Sequence, residues 1–189
     1  MPRVICPKCQ KPQRTCQCDL VTPTDNAIEV VIWQHPSEAK HPKNSALLLQ
    51  QSLANCRTLM TETISEQDFI DWCGNSGKIN LLLSPLPDQK IASSTFSTDS
   101  SRLIVIDGTW RKARKICYLN PWLQQLPTIA LPDDYQSHYR IRKAEQPGQY
   151  STLEATCLAL SQLEQSSDKY QPLLQAFAQL MDRLEQFSR

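Results

Sequence analysis

The chain has 189 residues, 40% hydrophobic and 21% charged, with four Gly, eight Cys and a formal charge of +1. That length suits one α/β domain with a small appendage, and it can bury a core without disulfide staples. Gly74, Gly77, Gly108 and Gly148 are too scattered for a P-loop or a dinucleotide-binding glycine motif, and +1 argues against a protein that simply coats nucleic acid. No apolar run approaches the roughly 18 residues of a membrane helix. Met1 to Cys18 is polar and Cys-rich, unlike a signal peptide. A cytoplasmic protein without a membrane partner is expected, its cysteines reduced or bound to metal.

In chain order, residues 1–26 read as a Cys-rich knuckle with a short link, and 27–189 as the main domain. Ala27–Trp33 is apolar and β-branched, a buried strand. Ser37–Asn44 is a polar loop, and Ser45–Ala54 a helix with Ser45 as N-cap. Arg57–Thr61 reads as a strand. Ser65–Cys73 is a short helix with Ser65 and Asp68 in capping-box spacing. Ile79–Leu83 is a second buried strand, stopped by Pro85 and Pro87, and 84–101 a long Ser/Thr-rich loop. Arg102–Ile106 is a third buried strand, followed by a helix over Thr109–Tyr118 capped by Thr109. Thr128–Leu131 and Tyr139–Arg142 are short strand candidates. Thr152–Glu164 is amphipathic, and Pro172 opens a last helix to about Phe187. Alternating strands and helices predict a mostly parallel sheet.

The even charge hides three basic windows. Residues 1–19 carry Arg3, Lys8, Lys11 and Arg14 against Asp19, a balance of +3. Residues 102–115 carry Arg102, Arg111, Lys112, Arg114 and Lys115 against Asp107, a balance of +4. Residues 138–145 carry Arg140, Arg142 and Lys143 against Glu145, a balance of +2. Brought together, they would make a basic face suited to a phosphate backbone; kept apart, they are three solvated patches.

Cys6-x-x-Cys9 and Cys16-x-Cys18 place four thiols within thirteen residues. Zinc takes four tetrahedral ligands, and thiolates suit it in a closed structural site. A redox pair or two disulfides are the alternatives. Cys56, Cys73, Cys117 and Cys157 lie in apolar contexts and read as buried thiols. In Leu103-Ile104-Val105-Ile106-Asp107-Gly108-Thr109-Trp110, an apolar strand ends at an acid, a glycine and a helix cap. Ligands bind at the carboxyl ends of strands in open α/β sheets, so Asp107 stands where a site would be. Gly108 lets a ligand approach the backbone, and Trp110 could stack on a base. The plainer reading has Asp107 and Thr109 capping the helix and Trp110 in the core. His35 and Glu38 follow the first strand on a similar edge, with Lys43 and Asn44 behind them. Ser151, Thr152 and Glu154 open the penultimate helix, where capping alone would explain them.

Taken in series, Cys6-x-x-Cys9 with Cys16-x-Cys18, His35-Pro36-x-Glu38, Lys43-Asn44-Ser45, a strand ending at Ser84-Pro85, Asp107-x-Thr109-Trp110, Tyr139-x-x-Arg142 and Ser151-Thr152-x-Glu154-Ala155 form an ordered set. The set resembles the DTW-domain family, the tRNA-uridine aminocarboxypropyltransferases, from Cys6 to about Leu163. Asp-x-Thr-Trp alone is a weak signal; the series is specific. Ser45 stands where Thr is expected and keeps the hydroxyl.

The resemblance implies a SPOUT-like α/β fold with a mostly parallel sheet and a C-terminal knotted cofactor site. It implies S-adenosylmethionine as donor, tRNA as partner, and transfer of the 3-amino-3-carboxypropyl group to N3 of a uridine, releasing methylthioadenosine. On that footing Leu83, Pro85, Asp107, Gly108, Thr109, Trp110, Arg111, Leu131, Ser151 and Thr152 are expected to hold the donor. Asp107 is the first candidate for a base or for orienting the uracil, with Arg140 or Arg142 stabilising negative charge. Glu154 and His35 are secondary candidates for the chemistry. His35, Glu38, Lys43, Asn44, Lys112 and Arg114 are expected to face the RNA, and the protein to be a monomer or weak oligomer. A methyltransferase on the same fold, a non-enzymatic zinc-containing RNA-binding protein and, more weakly, a thiol redox protein are the rivals.

Overall fold

The computed structural model describes residues 4–39, 41, 44–83, 96–129, 131 and 150–187. Five parallel strands form one sheet: β1 (Glu29–Gln34), β2 (Cys56–Met60), β3 (Ile79–Leu83), β4 (Ser101–Asp107) and β5 (Thr128–Ile129), in the order β2-β1-β4-β3-β5. Among the described residues, five α-helices accompany them: α1 (Ala46–Ser52), α2 (Glu66–Trp72), α3 (Trp110–Leu119), α4 (Thr152–Leu163) and α5 (Gln171–Gln186). The expected mixed α/β architecture with a parallel sheet is thus present.

Strand periodicity divides the core in two. Val30, Ile32, Leu81, Leu83, Leu103 and Val105 pack toward α1, α4 and α5. Val31, Trp33, Leu82, Ile104 and Ile106 pack toward α2 and α3. Helices on both faces explain why β1 and β4 are buried at every position. The outgoing connections of these two parallel strands run to opposite sides: β1 leads through α1 to β2 on one side, and β4 leads through α3 to β5 on the other. Their carboxyl ends therefore flank the topological switch point of the sheet, the usual ligand crevice of such folds. Gln34 pairs with Asp107 in the register, which puts those two residues at its lip.

The N-terminal knuckle is docked against the core. Leu20 joins the α1/α4/α5 layer. Arg183 on α5 grips Asp19 at 2.9 and 2.6 Å and also donates to the carbonyl of Cys16.

Several expectations are adjusted. Ser45 precedes α1 but makes no capping bond with its side chain. Asn44 takes the job, accepting the Ala46 N–H at 2.7 Å while its amide donates to the Glu38 carbonyl at 3.0 Å. Arg102 does not belong to a basic face: it lies at the opposite, amino end of the sheet, buried and paired with Glu29 at 3.0 Å. The strand expected over Tyr139–Arg142 and most of the loop expected over 84–101 lie outside the described residues.

Candidate functional site

The site begins with Asp107, the last residue of β4, buried at 7% exposure. Gln34 donates from Nε2 to Asp107 Oδ2 at 2.8 Å. Thr152 donates from Oγ1 to Asp107 Oδ1 at 2.7 Å. The Asp107 carbonyl accepts the His35 N–H at 3.0 Å. One carboxylate thus ties together the ends of β1 and β4 and the start of α4. Thr152 is held there by its helix start. Ser151 accepts the Glu154 N–H at 3.2 Å, and the fully buried Glu154 accepts the Ser151 N–H at 3.0 Å. That reciprocal capping box fixes the first turn of α4.

Gly108 turns the chain from β4 toward α3. A Cβ added there would lie 3.1 Å from Lys112 Cβ and 3.6 Å from His35 Cβ. On that side, the room left by the missing side chain is filled by the protein itself, so the glycine allows α3 and His35 to close on the corner. Thr109 caps α3 by accepting the Lys112 N–H at 3.4 Å. Trp110 is not a core residue; it is 43% exposed beside the crevice.

Two ion pairs link α3 to the β1 side. Lys112 reaches the buried Glu38 at 2.6 Å. Lys115 reaches Glu62 at 2.5 Å, and Glu62 also meets His35 Nε2 at 2.8 Å. The Lys115 hydrogen bond, with the charge of Lys115, holds the Glu62 carboxyl below its ordinary range. His35 accepts the Ser37 N–H at Nδ1, 3.2 Å away. The segment carrying Glu62 is pinned by Asn120, whose amide donates to the Glu62 carbonyl at 2.9 Å and accepts the Ile64 N–H at 2.9 Å.

The structure therefore brings His35, Glu38, Asp107, Gly108, Thr109, Lys112, Thr152 and Glu154 to one corner, directly or through these contacts. Asn44 joins them through the Glu38 carbonyl, and Ser151 through Glu154. Arg111 and Arg114 sit exposed on α3. Leu83 and Leu131 contribute their side chains to the α1/α4/α5 layer. Pro85, Lys43, Arg140 and Arg142 lie outside the described residues.

The Cys-rich knuckle is a second center. The sulfurs of Cys6, Cys9, Cys16 and Cys18 all lie within 4.8 Å of one another. Cys6 and Cys18, and Cys9 and Cys16, are 3.7 Å apart. A tetrahedral Zn–S bond of about 2.3 Å requires sulfurs about 3.8 Å apart, so the set fits a metal of that size. The N–H groups of Cys9 and Lys8 draw the Cys6 thiol down to about 6, whereas burial pushes Cys18 up to about 12.

The model of the DTW domain matches residues 3–185. The chain belongs to the DTW domain family. The tRNA-uridine aminocarboxypropyltransferase 2 of Macaca fascicularis is 30% identical over 184 residues, covering 91% of this chain and 60% of that protein. The Mus musculus protein of the same name is 31% identical over 183 residues, with 91% and 60% covered. The Drosophila melanogaster one is 29% identical over 176 residues, with 89% and 70% covered. The chain thus spans about 60% of the length of the first two relatives. No solved structure matches it.

Within this DTW domain, sequence reasoning missed Gln34 and Glu62. Gln34 carried one faint signal, a polar residue closing the apolar run Val30–Trp33. Glu62 carried none, because its partners His35 and Lys115 are distant in the chain and only the fold unites them.

Proposed function

We propose that this DTW protein is an enzyme that transfers the 3-amino-3-carboxypropyl group of S-adenosylmethionine to N3 of a uridine in tRNA. The observation that carries the reading is Asp107, held by Gln34 and Thr152 at the switch point of a DTW domain. The relatives' names supply the substrate class. The reading includes a SPOUT-like knotted donor site in a 27–189 catalytic domain, a structural zinc in a 1–26 knuckle, and a cytoplasmic monomer or weak oligomer.

As donor substrate, S-adenosylmethionine supplies a carbon activated by its sulfonium. N3 of the uridine loses its proton and bonds to that carbon, the carbon–sulfur bond breaks, and methylthioadenosine leaves with the electron pair. Which of three carbons on the sulfonium reacts depends on which is held in line with N3. Two donors fix the orientation of the Asp107 carboxylate. A carboxylate offers about four acceptor positions, so it can also receive the uracil N3–H. The corner at Gly108 and Thr109 flanks the donor, with Leu83 and Leu131 behind it. Glu154 keeps Ser151 and Thr152 in place. Arg140 or Arg142 balances the charge of the uracil or the donor carboxylate.

The test is mass spectrometry of tRNA nucleosides after incubation with protein and donor, labeled separately in its methyl and carboxypropyl groups. Carboxypropyl label in uridine is expected. Methyl label would make the protein a methyltransferase, and no label an RNA-binding protein. Asp107→Ala should reduce transfer about 100-fold or more with folding retained; transfer at the wild-type rate would remove Asp107 from the chemistry.

A further inference from the structure

The cations of α3 fall into two groups. Lys112 and Lys115 turn toward β1 and are neutralized by Glu38 and Glu62. Arg111 and Arg114 are exposed, and no ion pair among the described residues engages either. With about 3.6 residues per turn, Arg111, Arg114 and Tyr118 share one stripe about 60° wide. Tyr118 is 80% exposed, an unusual position for a large ring on a helix whose opposite side supplies Ala113, Ile116 and Cys117 to the core. Trp110 stands at the start of the same helix, beside the crevice, at 43% exposure.

We propose that this outer face of α3 binds an unpaired stretch of RNA adjoining the uridine that reacts; the inference rests on the tRNA reading above. Exposed aromatic rings give unpaired bases a stacking surface, and guanidinium groups hold the phosphates between them. Paired RNA hides its base faces and would leave the Tyr118 ring unused. Trp110 and Tyr118 are eight residues apart, about 12 Å along the helix. That span matches about three to four stacked nucleotides at about 3.4 Å each. With Lys112 and Lys115 paired, the cations that α3 leaves to a ligand are Arg111 and Arg114, on the stripe that carries Tyr118.

Binding is read by fluorescence anisotropy with a labeled unpaired RNA of roughly ten nucleotides and, as competitor, a duplex of the same composition. Tyr118→Ala should weaken binding about 5- to 100-fold, and Tyr118→Phe should bind as the wild type does. Arg111→Gln with Arg114→Gln should lower the salt slope by about 1.4. Melting temperatures should be unchanged, because none of these side chains is buried. Wild-type affinity in Tyr118→Ala, or equal competition by the duplex, overturns the proposal. The nucleoside assay separates it from the enzymatic reading. A wild type that modifies nothing, yet loses RNA affinity on Tyr118→Ala, removes the enzyme and keeps the face. A wild type that modifies tRNA, with variants of unchanged KM and affinity, keeps the enzyme and removes the face.

Discussion

Asp107 illustrates how a buried side chain takes its orientation from its neighbors. Its two oxygens are held by an amide on β1 and a hydroxyl on α4, so Gln34 is a positioning residue. Replacing that amide by a carboxyl, Gln34→Glu, would set two acids about 2.8 Å apart, where they cannot both be ionized. The pH profile of transfer should then move to higher pH, kcat should fall and KM for tRNA should hold. An unchanged profile would reduce Gln34 to a packing residue. Asp107 itself was legible from its place at the end of an apolar strand. Gln34 was not, because its role exists only across a strand pair that joins residues 73 positions apart. The roles of Lys112 and Glu38 were legible as charges but not as partners of each other. A charge count cannot tell a cation that waits for phosphate from one already neutralized at 2.6 Å.

At the level of elements, local signals were the most readable. β3 was expected over the residues it occupies, since an apolar run met a proline-rich stop. Ser65 and Thr109 cap α2 and α3 as their spacing indicated, and of Ser151 and Thr152, both able to cap α4, it is Ser151 that does, because a cap is made within four residues. Ser45 failed for an equally local reason: Asn44 reaches the same N–H and also ties down the Glu38 turn. Strand order and the destination of Arg102 were not readable, being set by packing across the whole sheet. The α4 cap lends itself to measurement. Ser151→Ala should cost about 1 kcal/mol in urea unfolding, by removing the Oγ acceptor for the Glu154 N–H. Because Thr152 is the next residue, the same variant should slow transfer more than its modest stability loss explains. Full activity would separate the cap from the site.

For the molecule as a whole, two clusters outside the crevice lend themselves to stability measurement. At the amino end of the sheet, Glu29 meets Arg57 at 2.8 Å, Arg102 at 3.0 Å and Lys78 at 3.1 Å. Burial alone would raise the Glu29 carboxyl, but hydrogen bonds from Arg102, Arg57 and Lys78 outweigh it and hold the group below its ordinary value. A lowered folded pKa contributes stability above the unfolded value of about 4.3, and that contribution is lost as pH falls through the folded one. Glu29→Gln should therefore destabilize by about 2–3 kcal/mol at pH 7, less than a fully buried pair because the Arg57 side chain is 41% exposed. The difference from wild type should shrink below about pH 4; a pH-independent difference would refute the electrostatic account. The second cluster is the knuckle. Elemental analysis should find one zinc per chain, and a chelator should lower the melting temperature, because metal binding there is folding free energy. A metal-free protein of unchanged stability would refute that role.

The grip of Arg183 on Asp19 joins residues 164 positions apart, and it orders events during synthesis. At about 5–20 residues per second, α5 emerges on the order of ten seconds or more after the knuckle. The four thiols are thus in solution, and able to gather around an ion, well before the helix that later clasps them has been made. With a metal in the knuckle, capture would come first and docking last, and a cell short of that ion would deliver α5 to a partner that has not yet taken shape.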